Sequence, residues 1–357
     1  MPASANLPGQ ISKGVGTTME PSESNGSTTE ALESGAGASA ASKRPRYRLV
    51  TRSDFDGLVC AVLLREKGLI DDILFVHPKD MQDGKIEITE RDITTNLPYV
   101  ATAHMVFDHH ESETIRNSGA RSNHVIDAKA DSAARVVYDY YGGAATFPDV
   151  SDEMMTAVDK ADQARYSIKD IYDAQGWELL SFIMDPRTGL GRFRDFTVSN
   201  YQLMMELIDH CQKLTIDQIL ALPSVNERIE LYRDHNSRHR EQVERCAKVH
   251  DNCVVLDLRN EETIWAGNRF TLYASFMQCN ISIHVMWGRE RLNTVFALGK
   301  SILNKRGPAA SFNIGEICLR YGGGGHRNAG TCQVPNDVAE EVLGELVSTL
   351  SGKKLRL

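Results

Sequence analysis

The sequence predicts an α/β chain: a parallel-sheet domain with helices on both faces, a connector helix, and a smaller mixed α/β C-terminal domain. Three observations carry this. Short apolar runs alternate with helix-forming segments through the first half of the chain, the pattern of strand–helix–strand units. The acidic residues Asp54, Asp56 and Asp108 follow the ends of apolar runs, where a parallel sheet presents its ligand-binding edge. A long, highly charged segment then leads into a second set of β-like runs.

Residues 1–46 contain none of the chain's aromatic residues and are rich in Ser, Gly, Ala, Thr and Glu. Such a segment cannot bury enough apolar surface to offset the entropy of ordering it, so 1–46 is expected to be a disordered tail. Lys43-Arg44-Pro45-Arg46 reads as its solvated junction. Order is expected from Tyr47. The run Tyr47–Arg52 is a strand, Ser53-Asp54-Phe55-Asp56-Gly57 breaks it, and Leu58–Glu66 resumes as a helix. Further strands are expected at Ile73–His77, more weakly at Ile86–Thr89, and at Met105–Phe107 and Val125–Asp127, with helices over Ser132–Tyr141 and Asp152–Asp162. Ser224-Val225-Asn226-Glu227 has the form of a capping box and opens a charged helix running to about His250. The later runs Cys253–Leu258, Ile281–Trp287 and Asn293–Leu298 are β-like, and helices are expected near Asn313–Arg320 and Asn336–Leu350. The expected division is therefore a tail at 1–46, a first domain at 47–222, a connector helix at 223–250 and a second domain at 251–357.

The 357-residue chain has a formal net charge of −8, which argues against electrostatic coating of duplex nucleic acid but allows a small anionic substrate held through a metal. It contains no run of about 18 apolar residues and no apolar signal-peptide core, so neither a membrane partner nor secretion is expected. Seven scattered cysteines without a CxxC pair fit a reduced, cytoplasmic chain better than a disulfide framework or a zinc site.

Two constellations carry chemistry. Asp54 and Asp56, two apart in a turn, can turn both carboxylates on one hard cation, and Asp108-His109-His110 at a strand end adds imidazoles that favour manganese, iron or zinc. The second is Gly322-Gly323-Gly324-Gly325-His326-Arg327. Four consecutive glycines weaken regular structure and are expected where backbone must approach something closely; free N–H groups there could cradle an anion, with His326 and Arg327 as further donors.

Together, Ser53–Gly57, Asp108-His109-His110 and Gly322–His326 resemble the signature motifs of the DHH phosphoesterases with a DHH-associated C-terminal domain, over about residues 47–334. Relatives include RecJ exonucleases, bacterial nanoRNases and cyclic-dinucleotide phosphodiesterases, and the sequence is most similar to an exopolyphosphatase-related group. The resemblance implies a two-metal site holding manganese, with magnesium or cobalt as substitutes. Asp54 would bind one ion and Asp56 the other, with a bridging aspartate at Asp92 (runner-up Asp83). His109 and Asp162 (alternative Asp159) would complete the ligands. His110 and Asp108 would act in catalysis. Arg52, Gly322, Gly323, Gly324, Gly325, His326 and Arg327 would bind substrate. One departure stands out: many family members carry a histidine ligand four residues, sometimes two, before the first aspartate, where this chain has Val50 and Arg52.

The implied reaction is metal-assisted hydrolysis of a short linear nucleotide, such as the 5′-phosphorylated dinucleotide pGpG or a short single-stranded oligonucleotide. Hydrolysis of polyphosphate or pyrophosphate is the alternative within the same chemistry, and a nucleotide-binding regulator with a degraded site is the alternative outside it. A homodimer is the oligomer the family implies.

Overall fold

A computed structural model describes residues 46–110, 113, 119, 121–193, 195–306 and 308–351. The chain divides into a unit at Met1–Lys43 and a unit at Arg44–Leu357. The expected disordered tail lies outside the described residues.

The first half of the larger unit is built on a parallel sheet. Strand β1 (Tyr47–Thr51) leads into helix α1 (Phe55–Glu66), then β2 (Ile70–Phe75), the short helix α2 (Pro78–Gln82), β3 (Asp92–Thr95), β4 (Met105–Asp108) and β5 (His124–Ile126). The five strands lie in the order β2-β1-β3-β4-β5, all neighbours parallel. The chain leaves β1 toward β2 on one side and returns to β3 on the other. That reversal opens a crevice at the carboxyl ends of β1 and β3.

Helix α1 is apolar on all sides, and Phe55 through Leu64 are buried in it. It packs under α3 (Ala133–Tyr140), α4 (Asp152–Asp162) and, farther along, α7 (Asn200–Cys211). Helices α5 (Ile168–Tyr172), α6 (Gly176–Met184) and α8 (Ile216–Leu220) complete this layer. Val50, Met81, Ile88, Leu97 and Val106 form a separate cluster on the opposite side of the sheet from Leu49, so both faces are covered.

Helix α9 (Pro223–Cys246) leads into a mixed second sheet. Its strands are β6 (Ala247–His250), β7 (Cys253–Asp257), β8 (Ile281–Trp287), β9 (Thr294–Lys300), β10 (Gly324–Gly325) and β11 (Ala329–Val334), in the order β10-β11-β9-β8-β7-β6. Only β7 and β8 run parallel among these pairs. Helix α10 (Thr271–Ser275) precedes β8, while α11 (Ile314–Leu319) and α12 (Ala339–Leu350) close the apolar cluster around Ile283, Phe296 and Cys332. No helix among the described residues is long and apolar enough to cross a membrane.

Three local expectations are corrected. The strand expected at Ile86–Thr89 lies instead at Asp92–Thr95. Ile88 is buried as packing against the sheet, while the polar strand is tied to its neighbour through a side chain as well as backbone: Thr95 Oγ1 donates to Thr51 Oγ1 at 2.7 Å. The capping box at Ser224 does not form. Pro223, whose fixed φ suits a first helical position, starts α9 two residues earlier than a Ser224 cap would, Ser224 Oγ turns to Glu206 (3.2 Å), and Glu227 accepts from Thr197. The charged helix ends at Cys246, and residues 247–250 form β6. It is not simply solvated: Arg228 is 1% exposed and donates to the carbonyls of Ser224 and Val198 at 2.7 Å each.

Candidate active site

The site assembles at the carboxyl edge of the parallel sheet. Asp54 follows β1 and caps α1, its Oδ1 accepting the Gly57 N–H at 3.0 Å. Gly57 is required here, because a Cβ at that position would stand 2.0 Å from the Arg52 carbonyl oxygen. Two residues on, Asp56 is buried and accepts the N–H groups of Ala133 (3.1 Å) and Ala134 (2.7 Å). The N-terminus of α3 thus points at a carboxylate, the polarity a helix dipole favours.

His109, directly after β4, has Nδ1 3.2 Å from the Ala130 carbonyl. With Nδ1–H donating there, the Nε2 lone pair is left for a cation, the tautomer usual for a metal-bound imidazole. Ligand atoms of Asp56, His109 and Asp162 all lie within 4.8 Å of one another. His109 Nε2 is 3.2 Å from Asp162 Oδ2, yet the contact lacks hydrogen-bond geometry, and Nε2 is buried without a hydrogen-bond partner. Burial pushes the Asp56 carboxyl up to about 7, helped by the Asp162 charge, and burial pushes Asp162 up to about 6, helped by Asp54. Crowded acids of this kind, facing an orphaned imidazole nitrogen, fit a divalent cation, whose charge would relieve their repulsion.

Asp108, 1% exposed, holds His110: its Oδ1 accepts from His110 Nδ1 at 2.7 Å, and its Oδ2 has no hydrogen-bond partner. Burial pulls the His110 pKa down, but the Asp108 hydrogen bond outweighs it and leaves His110 above its ordinary value. The His110 ring stacks on that of His326.

The structure does not bring Asp92 to this group. Asp92 begins β3, at the far end of the strand, where it accepts from Arg48 Nε (2.6 Å) and the Thr89 N–H (2.7 Å). Asp83 is exposed and pairs with Lys85 at 3.3 Å. The residue at the carboxyl end of β3 is Asn96. Its N–H donates to the Phe107 carbonyl at 3.1 Å, which sets it beside Asp108. Asn96 has φ +56°, is 2% exposed, and neither its Oδ1 nor its Nδ2 has a hydrogen-bond partner. A buried amide left wholly unpaired costs several kcal/mol, roughly 2–7, and points to a ligand. Misplacing β3 hid it; the rule that identified Asp54 and Asp108, a polar residue at or near the carboxyl end of a strand, would have found Asn96. Asp159, the alternative to Asp162, is committed elsewhere: it accepts from Ser132 Oγ (2.7 Å) and from Arg135 Nη2 (2.6 Å).

Arg52 lies against Asp54, Nε to Oδ2 at 3.0 Å, and Val50 is buried in the opposite face of the sheet. The glycine loop does not leave the open amide cradle expected of it. Gly322 and Gly323 N–H donate to Leu319 and Cys318, and His326 N–H donates to Ala329 at 2.7 Å. Glycine is needed there because backbone presses on backbone: a Cβ on Gly323 would stand 2.1 Å from the Thr331 carbonyl oxygen. Gly324 and Gly325 form β10, and His326 and Arg327 follow it as exposed side chains. Arg187, which no motif marked, also stands near the acids, within electrostatic reach of Asp54 and Asp162.

No family model matches the chain, and no curated protein sequence matches it. Among solved structures, it is similar to the pGpG-specific phosphodiesterase PggH from Vibrio cholerae, with 58% identity and a TM-score of 0.74, covering 87% of this chain and all (100%) of that one. CDC45 from Entamoeba histolytica is 9% identical with a TM-score of 0.44, covering 86% of this chain and 96% of that one. An uncharacterized protein from Helicobacter pylori G27 is 13% identical with a TM-score of 0.27, covering 87% and 99%.

Proposed function

The chain belongs to the family of the pGpG-specific phosphodiesterase PggH, and from that premise we propose that it hydrolyses pGpG and related 5′-phosphorylated dinucleotides to mononucleotides, in a metal-dependent reaction. The observation that carries the metal-dependent part is the convergence of Asp56, His109 and Asp162 on one point. The reading includes membership of the DHH phosphoesterases, supported by Asp108-His109-His110 at the sheet edge, and manganese as the metal, supported by a donor set of hard oxygens plus one imidazole. It also includes the domain division at 47–222, 223–250 and 251–357, a reducing cytoplasmic setting supported by seven free cysteines, and a homodimer drawn from the family.

Asp56, His109 and Asp162 hold one cation in this reading, and Asp54 with Asn96 serve a second, with Asn96 in the part expected of Asp92. When bound, divalent ions supply positive charge to the scissile phosphate and lower the pKa of the attacking water. Asp108 fixes the His110 ring through Nδ1 and favours its protonated form, the form that can give a proton to the departing sugar oxygen. His326 meets the substrate from the second domain, across from His110. One water enters, one P–O bond breaks, and pGpG yields two GMP.

The test is product chromatography with manganese over a panel of pGpG, cyclic dinucleotides, pyrophosphate and polyphosphate. Release of GMP from pGpG, abolished by a chelator, is expected. Turnover confined to pyrophosphate or polyphosphate, or binding of pGpG without turnover, would overturn the reading.

A further inference from the structure

One carboxylate grips both ends of the first turn of α3. Asp159 Oδ1 accepts the Ser132 hydroxyl at 2.7 Å, while its Oδ2 accepts Arg135 Nε at 2.9 Å and Nη2 at 2.6 Å. Ser132 caps that helix and is fully buried, and its Oγ accepts the Arg135 N–H at 3.0 Å. Between the two gripped residues lie Ala133 and Ala134, the pair whose N–H groups hold the Asp56 carboxylate. The amides on Asp56 are therefore fixed from either side, by a residue that touches Asp56 nowhere itself.

The segment leading into α3 is bound to the same edge. The Asp127 N–H donates to the Asp108 carbonyl at 3.1 Å, and the Ala130 carbonyl lies 3.2 Å from His109 Nδ1. One stretch, 127–134, thus touches Asp108, His109 and Asp56 in turn. What fastens that stretch comes from the C-terminal end of α4. Besides Asp159, Gln163 Nε2 donates to the Asp131 carbonyl at 2.9 Å, and Arg165 meets the Asp131 carboxylate through both Nη atoms. The Arg165–Asp131 pair is solvent-facing and adds little, whereas the Asp159 side chain is only 15% exposed and its Ser132 partner is buried. Asp162 follows Asp159 by about one turn of the same helix.

The end of α4 therefore supplies Asp162 directly and reaches the other two members of the Asp56–His109–Asp162 group through 127–134. We infer that Asp159 is a positioning residue for the metal centre: through Ser132 and Arg135 it aims the α3 amides at Asp56 and so keeps Asp56 in place against Asp162. This rests on the metal-dependent reading above and deepens it. Two carboxylates crowded together repel, and an unsupported Asp56 would turn away from Asp162. Amides held by a rigid helix start oppose that, so a cation meets ligands already in position and little freedom is lost on binding. Asp159 reads as an alternative ligand in the sequence; in the fold its charge is taken by Arg135, and its task is to hold the amides that hold a ligand.

The test is titration of manganese into the chelator-treated full chain, read by the electron paramagnetic resonance signal of the unbound ion, with thermal melting alongside. The variants are Asp159→Ala, Asp159→Asn, Ser132→Ala, the double alanine variant, and Ser199→Ala, which removes a serine cap from α7, a helix that gives no residue to the site. Asp159→Ala and Ser132→Ala should each raise the manganese dissociation constant about tenfold. The double variant should go little further, since both residues act through one link. Asp159→Asn, whose amide oxygen still accepts the Ser132 hydroxyl, should recover most of the affinity, and it stands in for the alanine variant should that one not fold. Ser199→Ala should lower the melting temperature and leave affinity alone. Unchanged affinity in Asp159→Ala and Ser132→Ala would make the grip purely structural, and an equal loss in Ser199→Ala would trace the effect to stability. A loss in Asp159→Asn as deep as in Asp159→Ala, with Ser132→Ala unaffected, would make Asp159 itself a ligand. Each of these overturns the inference and leaves the metal-dependent reading standing. A wild-type chain that binds no manganese would sink that reading, and the positioning role with it.

Discussion

The imidazole of His326 lies on that of His110, ring centroids 5.0 Å apart and planes 24° from parallel. The two residues are far apart in the chain, one two residues beyond the end of β4 and the other directly after β10. Their contact brings the glycine loop of the second sheet to the acidic edge of the first. A substrate lying there is touched from both sides.

His326→Ala is therefore expected to impair pGpG hydrolysis more than hydrolysis of bis(p-nitrophenyl) phosphate, which is too short to draw on both halves. Loss of a charged hydrogen bond, about 1.5–3 kcal/mol, corresponds to roughly a ten- to hundredfold fall in kcat/KM for pGpG. Parallel steady-state assays of the two substrates check this. Equal losses would place His326 in the chemistry or the fold instead.

Asp108→Asn should move the alkaline limb of the kcat profile to lower pH. The Asp108 hydrogen bond raises the His110 pKa, so the wild-type imidazolium persists to a higher pH than a free histidine would, and its acid function is lost as pH rises through that raised value. Without the carboxylate the same loss comes earlier. An unmoved limb in a pH–rate series would exclude His110 as the acid.

Manganese should stabilise the folded chain more at pH 8 than at pH 5.5. The folded carboxyls of Asp56 and Asp162 are raised to about 7 and about 6, above unfolded values near 4, so in metal-free protein their contribution to stability declines as pH rises from about 4 to about 7. A cation reverses this by favouring the ionised forms, and protons displace it as pH falls through the same window. Buried His239 and His284, whose pKa values are lowered, act in the opposite sense but equally with and without metal. The difference in melting temperature between manganese and chelator thus isolates the site. A difference independent of pH would mean the metal binds elsewhere.

Asn96 and Asp92 should separate cleanly on substitution. Asp92→Ala removes the buried partner of Arg48 and should cost about 3 kcal/mol of stability, with metal affinity retained in the folded fraction. Asn96→Ala should weaken manganese binding at least about tenfold, and Asn96→Asp should strengthen it, since a carboxylate is the better ligand and aspartate also tolerates φ +56°. Titration calorimetry and thermal melting together decide the matter. Metal affinity that follows Asp92 and ignores Asn96 would reverse the assignment.

The amino-acid sequence alone determined the features written in short-range pattern. Alternating apolar runs imply the parallel sheet, and Asp54-x-Asp56-Gly57 after β1 and Asp108-His109-His110 after β4 mark its ligand edge, because side-chain period and strand-end position are local properties. Tertiary structure decided the rest. Asp92 reads as a candidate ligand until Arg48, on the neighbouring strand, claims it; Asn96 reads as a polar loop residue until burial leaves it unpaired. The four glycines suggest an amide cradle until Leu319 and Cys318 take up the N–H groups of Gly322 and Gly323 and β11 pairs with Gly324 and Gly325. Arg187 and Arg269 carry no motif at all, and only the folding of two distant segments brings them to one Asp185 carboxylate. Satisfaction of a charged or polar group depends on which partners arrive in space, and that is fixed by packing between segments rather than by spacing within one.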